Sequence, residues 1–337
     1  MKRLFCTLAL LVSILGTYAQ DPNFSQFFAS PLTLNPALTG KFNGDLRVAG
    51  NYRNQWPTIN NAFTTYTVSA DMPILKDRIS ENDVFGVGVM MFSDKSGNGV
   101  LQNNYLALST SYHKSLNEDG TQQIGLGFQG SYTNKRLNTV GLNFEDMLRT
   151  DGFTGVTSED FSSKSNLNVS YFDMNSGVMY TGTTNGDNSI YLGASMYHIN
   201  RHKETFNNGE YYLQPRVTLQ AGGRFPLNEV SAFHFSANYS QQAGATNTMI
   251  GGAYEMKFGA DAETPTSLYI GSWVRLKDAI IPYIGIEYGS FRVGATYDVN
   301  TSSLKPASNM RGGTEISLIF IKQPPDRSGR MMNCPKF

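Results

Sequence analysis

From residue 44 onward the chain alternates between apolar and polar positions. Ile124, Leu126, Phe128 and Tyr132 fall on one side of an extended segment, and Gly125, Gly127, Gln129 and Ser131 on the other. Phe233, Phe235, Ala237 and Tyr239 oppose His234, Ser236 and Asn238, and Val217, Leu219, Ala221 and Phe225 oppose Thr218, Gln220 and Arg224. Phe291, Val293, Ala295, Tyr297 and Val299 oppose Arg292, Thr296 and Asp298. A period of two marks a strand with one apolar and one polar face, because successive side chains of an extended backbone point to opposite sides. The period predicts fourteen strands, at 44–54, 62–72, 83–92, 105–114, 123–135, 167–181, 190–198, 215–225, 231–240, 247–258, 267–275, 280–288, 290–299 and 312–321. Helical periodicity never persists for a dozen residues.

Most of these segments are about ten residues long, the length of a tilted strand that crosses a bilayer, and their number is even. The connections sort by parity. With the first strand starting in the periplasm, the odd connections lie outside the cell: 55–61, 93–104, 136–166, 199–214, 241–246, 276–279 and 300–311. The even ones are shorter and include Pro226 to Val230 and the Gly289-Ser290 turn. Short periplasmic turns with longer outer loops characterise outer-membrane barrels. A soluble β-sandwich, the competing all-β reading, has no reason to sort its loops this way.

Composition points the same way. Charged residues are 16% of the chain, against about 25% in soluble domains. Glycine (33), phenylalanine (21) and tyrosine (18) are plentiful, yet no apolar run after residue 19 approaches the ~20 residues of a membrane helix. In a bilayer every backbone polar group must be paired within the protein, so strands that cross it close into a barrel. The apolar faces then meet lipid, with Tyr52, Tyr112, Tyr132, Tyr180, Tyr254 and Tyr288 near strand ends as candidates for the interfacial girdles. The polar faces meet the lumen. They carry Arg47, Arg53, Arg224, Arg275 and Arg292 against Asp71, Asp173, Glu255, Glu287, Asp298 and Glu315. This balance of sign fits either pairing across a narrow or plugged interior or solvation of a water-filled one. Gly86, Gly88, Gly125 and Gly127 read as positions that relieve crowding or let the wall bend.

The ends are of another kind. Lys2 and Arg3, the apolar run Leu4 to Leu15 and the small residues Thr17 and Ala19 make residues 1–19 a secretory signal, removed after Ala19. Loss of Lys2 and Arg3 turns the balanced 27 basic and 27 acidic residues into a mature chain about two units negative, without the basic excess of a nucleic-acid binder. Only Cys334 survives cleavage, which excludes an internal disulfide and a thiolate metal cluster. Residues 20–43, with three prolines among apolar residues, form a plug or periplasmic segment that folds into the barrel mouth or lies across its periplasmic end. The barrel occupies 44–321, and 322–337 is a periplasmic tail, so both termini are expected in the periplasm. The fold class is therefore all-β: a transmembrane antiparallel barrel of about fourteen strands with multiple passes.

No constellation carries chemistry. His198 and His202 have i, i+4 spacing, but where a strand ends and with no intervening glutamate of a zinc-protease helix. Ser109 and Ser111 near His113 resemble no nucleophile elbow. The paired glycines precede no helix and so make no nucleotide loop. No catalytic residue, metal or cofactor is assigned.

Three blocks of residues resemble a known family. The mature chain opens Gln20-Asp21-Pro22, Phe24-Ser25-Gln26-Phe27, then Leu34-Asn35-Pro36-Ala37 and Gly40. A second block is Leu192-Gly193-Ala194-Ser195 with His198. A third runs Tyr269-Ile270-Gly271-Ser272-Trp273, Arg275-Leu276-Lys277-Asp278-Ala279-Ile280-Ile281-Pro282, then Tyr297-Asp298-Val299-Asn300 and Glu315-Ile316-Ser317-Leu318. The end, Cys334-Pro335-Lys336-Phe337, is also similar. These resemble the PorP/SprF family of Bacteroidota outer-membrane proteins, with Phe27 where the family more often has tyrosine. The resemblance implies a non-enzymatic barrel of the type IX secretion and gliding-motility machinery. Its partners would be lipoprotein components of the periplasmic secretion ring or a large cell-surface adhesin as cargo. The aromatic anchors Phe24, Phe27 and Phe28, with Ser25, Gln26, Asn35 and Pro36 of the opening block, form the candidate partner-binding set; the same phenylalanines can instead tuck into the barrel end. A passive transporter of small solutes is the alternative function.

Overall fold

The computed structural model describes residues 21–59, 62–75, 78–157, 166–184, 188–206, 211–259 and 266–323. The signal-peptide reading, and all but the first two residues of the expected tail, lie outside them.

The fourteen expected strands are present and close into one antiparallel barrel. In chain order they are β1 (Leu46–Gln55), β2 (Phe63–Ile74), β3 (Val84–Ser96), β4 (Leu101–Ser115), β5 (Gln122–Asn138), β6 (Asn166–Thr184), β7 (Asn188–Tyr197), β8 (Arg216–Asn228), β9 (Ser231–Gln242), β10 (Ala245–Phe258), β11 (Thr266–Arg275), β12 (Ala279–Tyr288), β13 (Phe291–Asn300) and β14 (Arg311–Lys322). Each pairs with its sequence neighbours, and β1 closes the ring on β14, with Leu46 opposite Lys322 and Gln55 opposite Gly313. No edge is left unpaired, which is what lets a sheet sit in hydrocarbon.

The faces follow the alternation. Leu126 and Phe128 are exposed on the outer wall, as are Phe233, Leu219 and Val293, while Gln129 and Ser131 are buried inside. The connections 139–165 and 198–215 stand at one end, and the turns 229–230 and 289–290 at the other. By that asymmetry the first is the outer end and the second the periplasmic end. The outer connection expected at 93–104 shrinks to 97–100, because Ser93–Ser96 pair with Leu101–Asn104 and carry the hairpin past the point where the apolar alternation stops. The 139–165 connection holds a small hairpin, Leu148 and Arg149 paired with Phe153 and Gly152.

Residues 21–43 form a plug, the first of the two expected arrangements, and reach further than a barrel mouth. The segment neither caps the periplasmic end nor stops at a mouth; it runs from the periplasmic end of the lumen up to the floor of an outer vestibule. The Asp21 backbone N–H donates to Gln242 Oε1 (2.7 Å) at the outer end of β9, and the Asp45 N–H reaches the Lys322 carbonyl at the periplasmic end of β14. Asp21 therefore sits in the outer half of the barrel, not in the periplasm. Three short turns shape the segment: a 3₁₀ turn at Phe27–Ala29, a helical turn at Pro31–Leu34 and a second 3₁₀ turn at Pro36–Leu38. Pro31 and Pro36 each stand at a first turn, where a missing N–H costs nothing, and the Asn35 side chain caps the last by accepting from the Ala37 N–H (2.8 Å).

Candidate functional site

The plug and the wall around it form the one densely built polar region of the described lumen. An irregular segment leaves its backbone groups without ladder partners, so a buried one needs partners from elsewhere. Here the wall supplies them. Leu32 O accepts from Gln129 Nε2 (3.1 Å) and from the Tyr197 hydroxyl (2.9 Å), Leu34 O from Ser195 Oγ (2.7 Å), and Thr39 O from Ser111 Oγ (2.6 Å). His113 Nε2 meets Ala37 O at 2.7 Å, and the Gly40 N–H donates to Asp71 Oδ2 (2.7 Å). Ser111 and His113, set aside as chemistry in the sequence, serve here to hold the plug.

Close approach needs wall positions without side chains. A Cβ on Gly127 would stand 2.3 Å from Ala37 N and Pro36 C, one on Gly177 2.0 Å from Asn35 Oδ1, and one on Gly86 2.2 Å from Thr39 O. Gly127 and Gly177 are register partners across β5 and β6, so together they make a slot for the turn at Asn35–Ala37. Gly86 and Gly127 do relieve crowding, but against the plug, while Gly125 makes room for the His113 ring of the neighbouring strand.

Apolar side chains complete the packing. Phe28 lies 5.1 Å from Trp273 and 5.5 Å, edge-on, from Tyr283, and Phe27 lies 5.6 Å from Phe28. Trp273 is fully buried, its Nε1 donating to Ser236 Oγ (2.9 Å). In the sequence Trp273 figures only within a block of family resemblance, although its parity with Arg275 on β11 already places it toward the lumen. Phe24, Ser25, Gln26, Phe27, Asn35 and Pro36 are buried in the lumen and Phe28 is half-buried. None of the candidate partner-binding set lies on the outer wall.

The lumen charges pair. Arg47 binds Asp71 (2.7 Å), Arg224 binds Glu255 (3.1 Å), Arg292 binds Glu287 (2.5 Å) and Asp173 binds His198 (2.6 Å). The densest group surrounds Ser25. Arg53 reaches Asp298 (2.7 Å) and Glu315 (3.0 Å), and Arg275 reaches Asp298 (2.9 Å). Ser25 Oγ donates to Asp298 Oδ1 (2.7 Å) and accepts from Arg275 Nη2 (2.6 Å) and from Arg53 Nη1. The backbone N–H groups of Ser25 and Gln26 donate to the two oxygens of Glu315 (2.7 and 2.9 Å). Of the two readings left open by the charge balance, pairing in a plugged interior is the one observed.

The outer tip of the plug is held by His198, just beyond the end of β7. Its Nε2 meets Asp21 Oδ2 (2.7 Å) and its Nδ1 meets Asp173 Oδ2 (2.6 Å), so the ring bridges plug and wall. Burial alone would depress its pKa; the carboxylates of Asp21 and Asp173 outweigh it and push the pKa up to about 9. Burial likewise works against the Asp21 carboxylate, and the charges of His198 and Arg216 hold it well below the usual carboxylate range. With the folded pKa raised, the latch is at full strength below the unfolded value of about 6.5 and is lost as pH rises through about 9, a contribution on the order of 3 kcal/mol. We expect a cysteine placed at Asn23 to resist a thiol reagent at pH 7 and to label faster at pH 10. In a His198→Gln background the rate is expected to change little between pH 7 and 10 beyond the thiol's own titration; an unchanged wild-type-like rise would remove His198 as the cause.

Above the plug lies an outer vestibule of about 660 Å³, lined by outer strand ends and by His198, Glu204 and Leu213.

A family model described as type IX secretion system membrane protein PorP/SprF matches residues 16–320. Among solved structures, a Pseudomonas aeruginosa FadL homologue aligns at 8% identity over 85% of this chain and 92% of that one, with a TM-score of 0.47. The CymD monoaromatic hydrocarbon channel aligns at 12% identity over 92% and 96%, with a TM-score of 0.46. Neither likeness carries anything about function. No curated protein matches the chain.

Proposed function

The chain belongs to the PorP/SprF family of type IX secretion system membrane proteins, and from that premise we propose that it is a docking barrel that performs no chemistry. It would engage lipoprotein components of the periplasmic secretion ring or a large secreted adhesin, in secretion or gliding. The observation that supports this reading is the packed lumen. A passive pore needs a continuous water path, whereas here wall side chains and paired charges close on residues 21–43 from β1 to β14. An outer-membrane protein of a secretion machine that conducts nothing itself is left with binding as its work. A direct partner contact through Phe24, Ser25, Gln26, Phe27, Phe28, Asn35 and Pro36 belongs to the same proposal and requires the plug to leave the lumen.

Two measurements test it together. In planar bilayers the purified protein is expected to show no steady conductance. Deleting the gene is expected to strand a specific adhesin or secreted protein in the cell without loss of uptake of any small solute. Steady channels, with normal secretion and failed uptake of one solute in the deletion strain, would replace the docking role by passive transport.

A further inference from the structure

The outer vestibule has a polar rim with buried carboxylates over an aromatic rung, a pairing of chemistries that the packed plug beneath it does not use. Side chains on β3, β4 and β5 stand in register as Asp94, Asn103 and Lys135, and one step toward the periplasm as Phe92, Tyr105 and Thr133, with Tyr171 of β6 continuing the lower row. The Phe92 and Tyr105 rings are stacked, with centroids 4.5 Å apart. Asp94 is buried and accepts only from hydroxyls in the described structure, those of Thr65 (2.7 Å) and Ser96 (3.3 Å).

The polar atoms without partners divide by place: arginine Nε donors (Arg53, Arg216, Arg275) on β1, β8 and β11, and acceptors chiefly near β4 to β6. Asn103 Oδ1, Asp173 Oδ1 and Glu204 Oε2 are buried here and receive no hydrogen bond, with His202 Nδ1 no nearer to Asp173 Oδ1 than 3.9 Å, although Asp173 and Glu204 are themselves more than nine-tenths buried. The vestibule's arginines are already committed to the chain's own carboxylates: Arg53 and Arg275 to Asp298, and Arg216 to Asp21. Lys135 is taken by Glu204. An anionic ligand would meet only the unpartnered Nε atoms of Arg53, Arg216 and Arg275, on guanidiniums whose charge already faces the chain's own carboxylates, and a neutral one leaves buried carboxylate oxygens unmet, which is costly in a low-dielectric site. A ligand that brings donors and positive charge on an apolar stem satisfies both rows at once: its head answers the rim oxygens, and its methylenes lie along the rings.

The geometry points to a binding site for an alkylammonium or guanidinium group that enters from outside the cell, carried by a lysine- or arginine-bearing polypeptide. The site goes beyond the docking role and stands independently of it.

The test uses the full-length mature protein in zwitterionic detergent, titrated calorimetrically with acetyl-trilysine amide, acetyl-triglutamine amide and cadaverine. Trilysine is expected to bind one to one and triglutamine not at all. Asp94→Asn and Glu204→Gln, each removing a carboxylate without changing shape, are each expected to weaken trilysine by about tenfold, the usual scale of one charge-assisted hydrogen bond. Cadaverine binding as tightly as trilysine, with the same loss in the variants, supports the cation site and makes its source a free diamine. Triglutamine binding as well as trilysine, or trilysine binding undiminished by both variants, overturns the proposal. Heat-modifiable electrophoretic mobility checks the barrel in each variant. Glu204 lies outside the strands, so its variant decides the matter even where Asp94→Asn fails to fold.

Discussion

Gly127→Val is expected to expel the plug from its slot while Gly130→Ala, three residues along the same strand, changes nothing measurable. The contrast follows from what each new side chain would meet. A Cβ at 127 falls 2.3 Å from backbone atoms of Pro36 and Ala37, whereas one at 130 meets nothing within 4 Å. Backbone cannot swing aside as a long side chain can, so the strand must bow or the 35–37 turn must leave. Overpacking a well-filled core ordinarily costs about 1–3 kcal/mol. Here the displaced turn would also lose the Asn35 bonds to Val178 O and Ala194 O, so an effect at or above the top of that range is expected. Urea titration of the detergent-solubilised barrel, with limited proteolysis of residues 21–43, reads both outcomes. The packing account fails if Gly127→Val unfolds at the wild-type midpoint with its plug still protected.

Arg53→Met is the second substitution with a large expected effect. It removes the cation that both Asp298 and Glu315 address, at side chains almost wholly withdrawn from solvent. Breaking a buried ion pair from one side costs about 3–5 kcal/mol, because the remaining charge stays in a medium that cannot solvate it. Arg275 still serves Asp298, so the uncompensated charge is chiefly that of Glu315. The double change Arg53→Met with Glu315→Gln is therefore expected to recover a large part of the loss, since glutamine keeps one acceptor for the Ser25 or Gln26 N–H. A double variant no more stable than Arg53→Met alone would show that the arginine acts by packing and not by charge.

Where the sequence was legible, it was so through periodicity. The exposed Phe128 and Leu219 and the buried Gln129 and Thr218 could be placed because lipid outside and polar groups inside give every strand the same two-residue beat. The inward charges were legible for the same reason, and Arg53, Asp298 and Glu315 all face the lumen as their parity requires. What parity could not convey is which charge meets which, because strands distant in sequence contribute to one cluster. The path of the plug was hidden altogether. Residues 21–43 have no repeating period, their prolines announce only turns, and their partners are single side chains scattered over most of the wall. The contact of Asp21 with His198 spans 177 positions and left no local trace. Nor did the role of Gly127 and Gly177, since a glycine looks the same whether it bends a wall or admits a neighbour's backbone.

The direction of the plug constrains the order in which the molecule can be made. Its first described residue sits at the outer end and its last at the periplasmic end, where it leads directly into β1. Once β1 and β14 have zipped together, threading this segment upward would drag prolines and phenylalanines past glycine slots too tight for a Cβ. A ring that closes around a segment already in place avoids that passage. Most of the residues that grip Ser25 and Gln26 come from β13, β14 and β1, the strands that flank the final seam, and Arg275 joins them from β11. On that order of assembly the plug would serve as a mandrel on which the last hairpin and the first strand are brought together. A chain that lacks it is expected to stall as an open sheet with two sticky edges, not to mature into a hollow pipe.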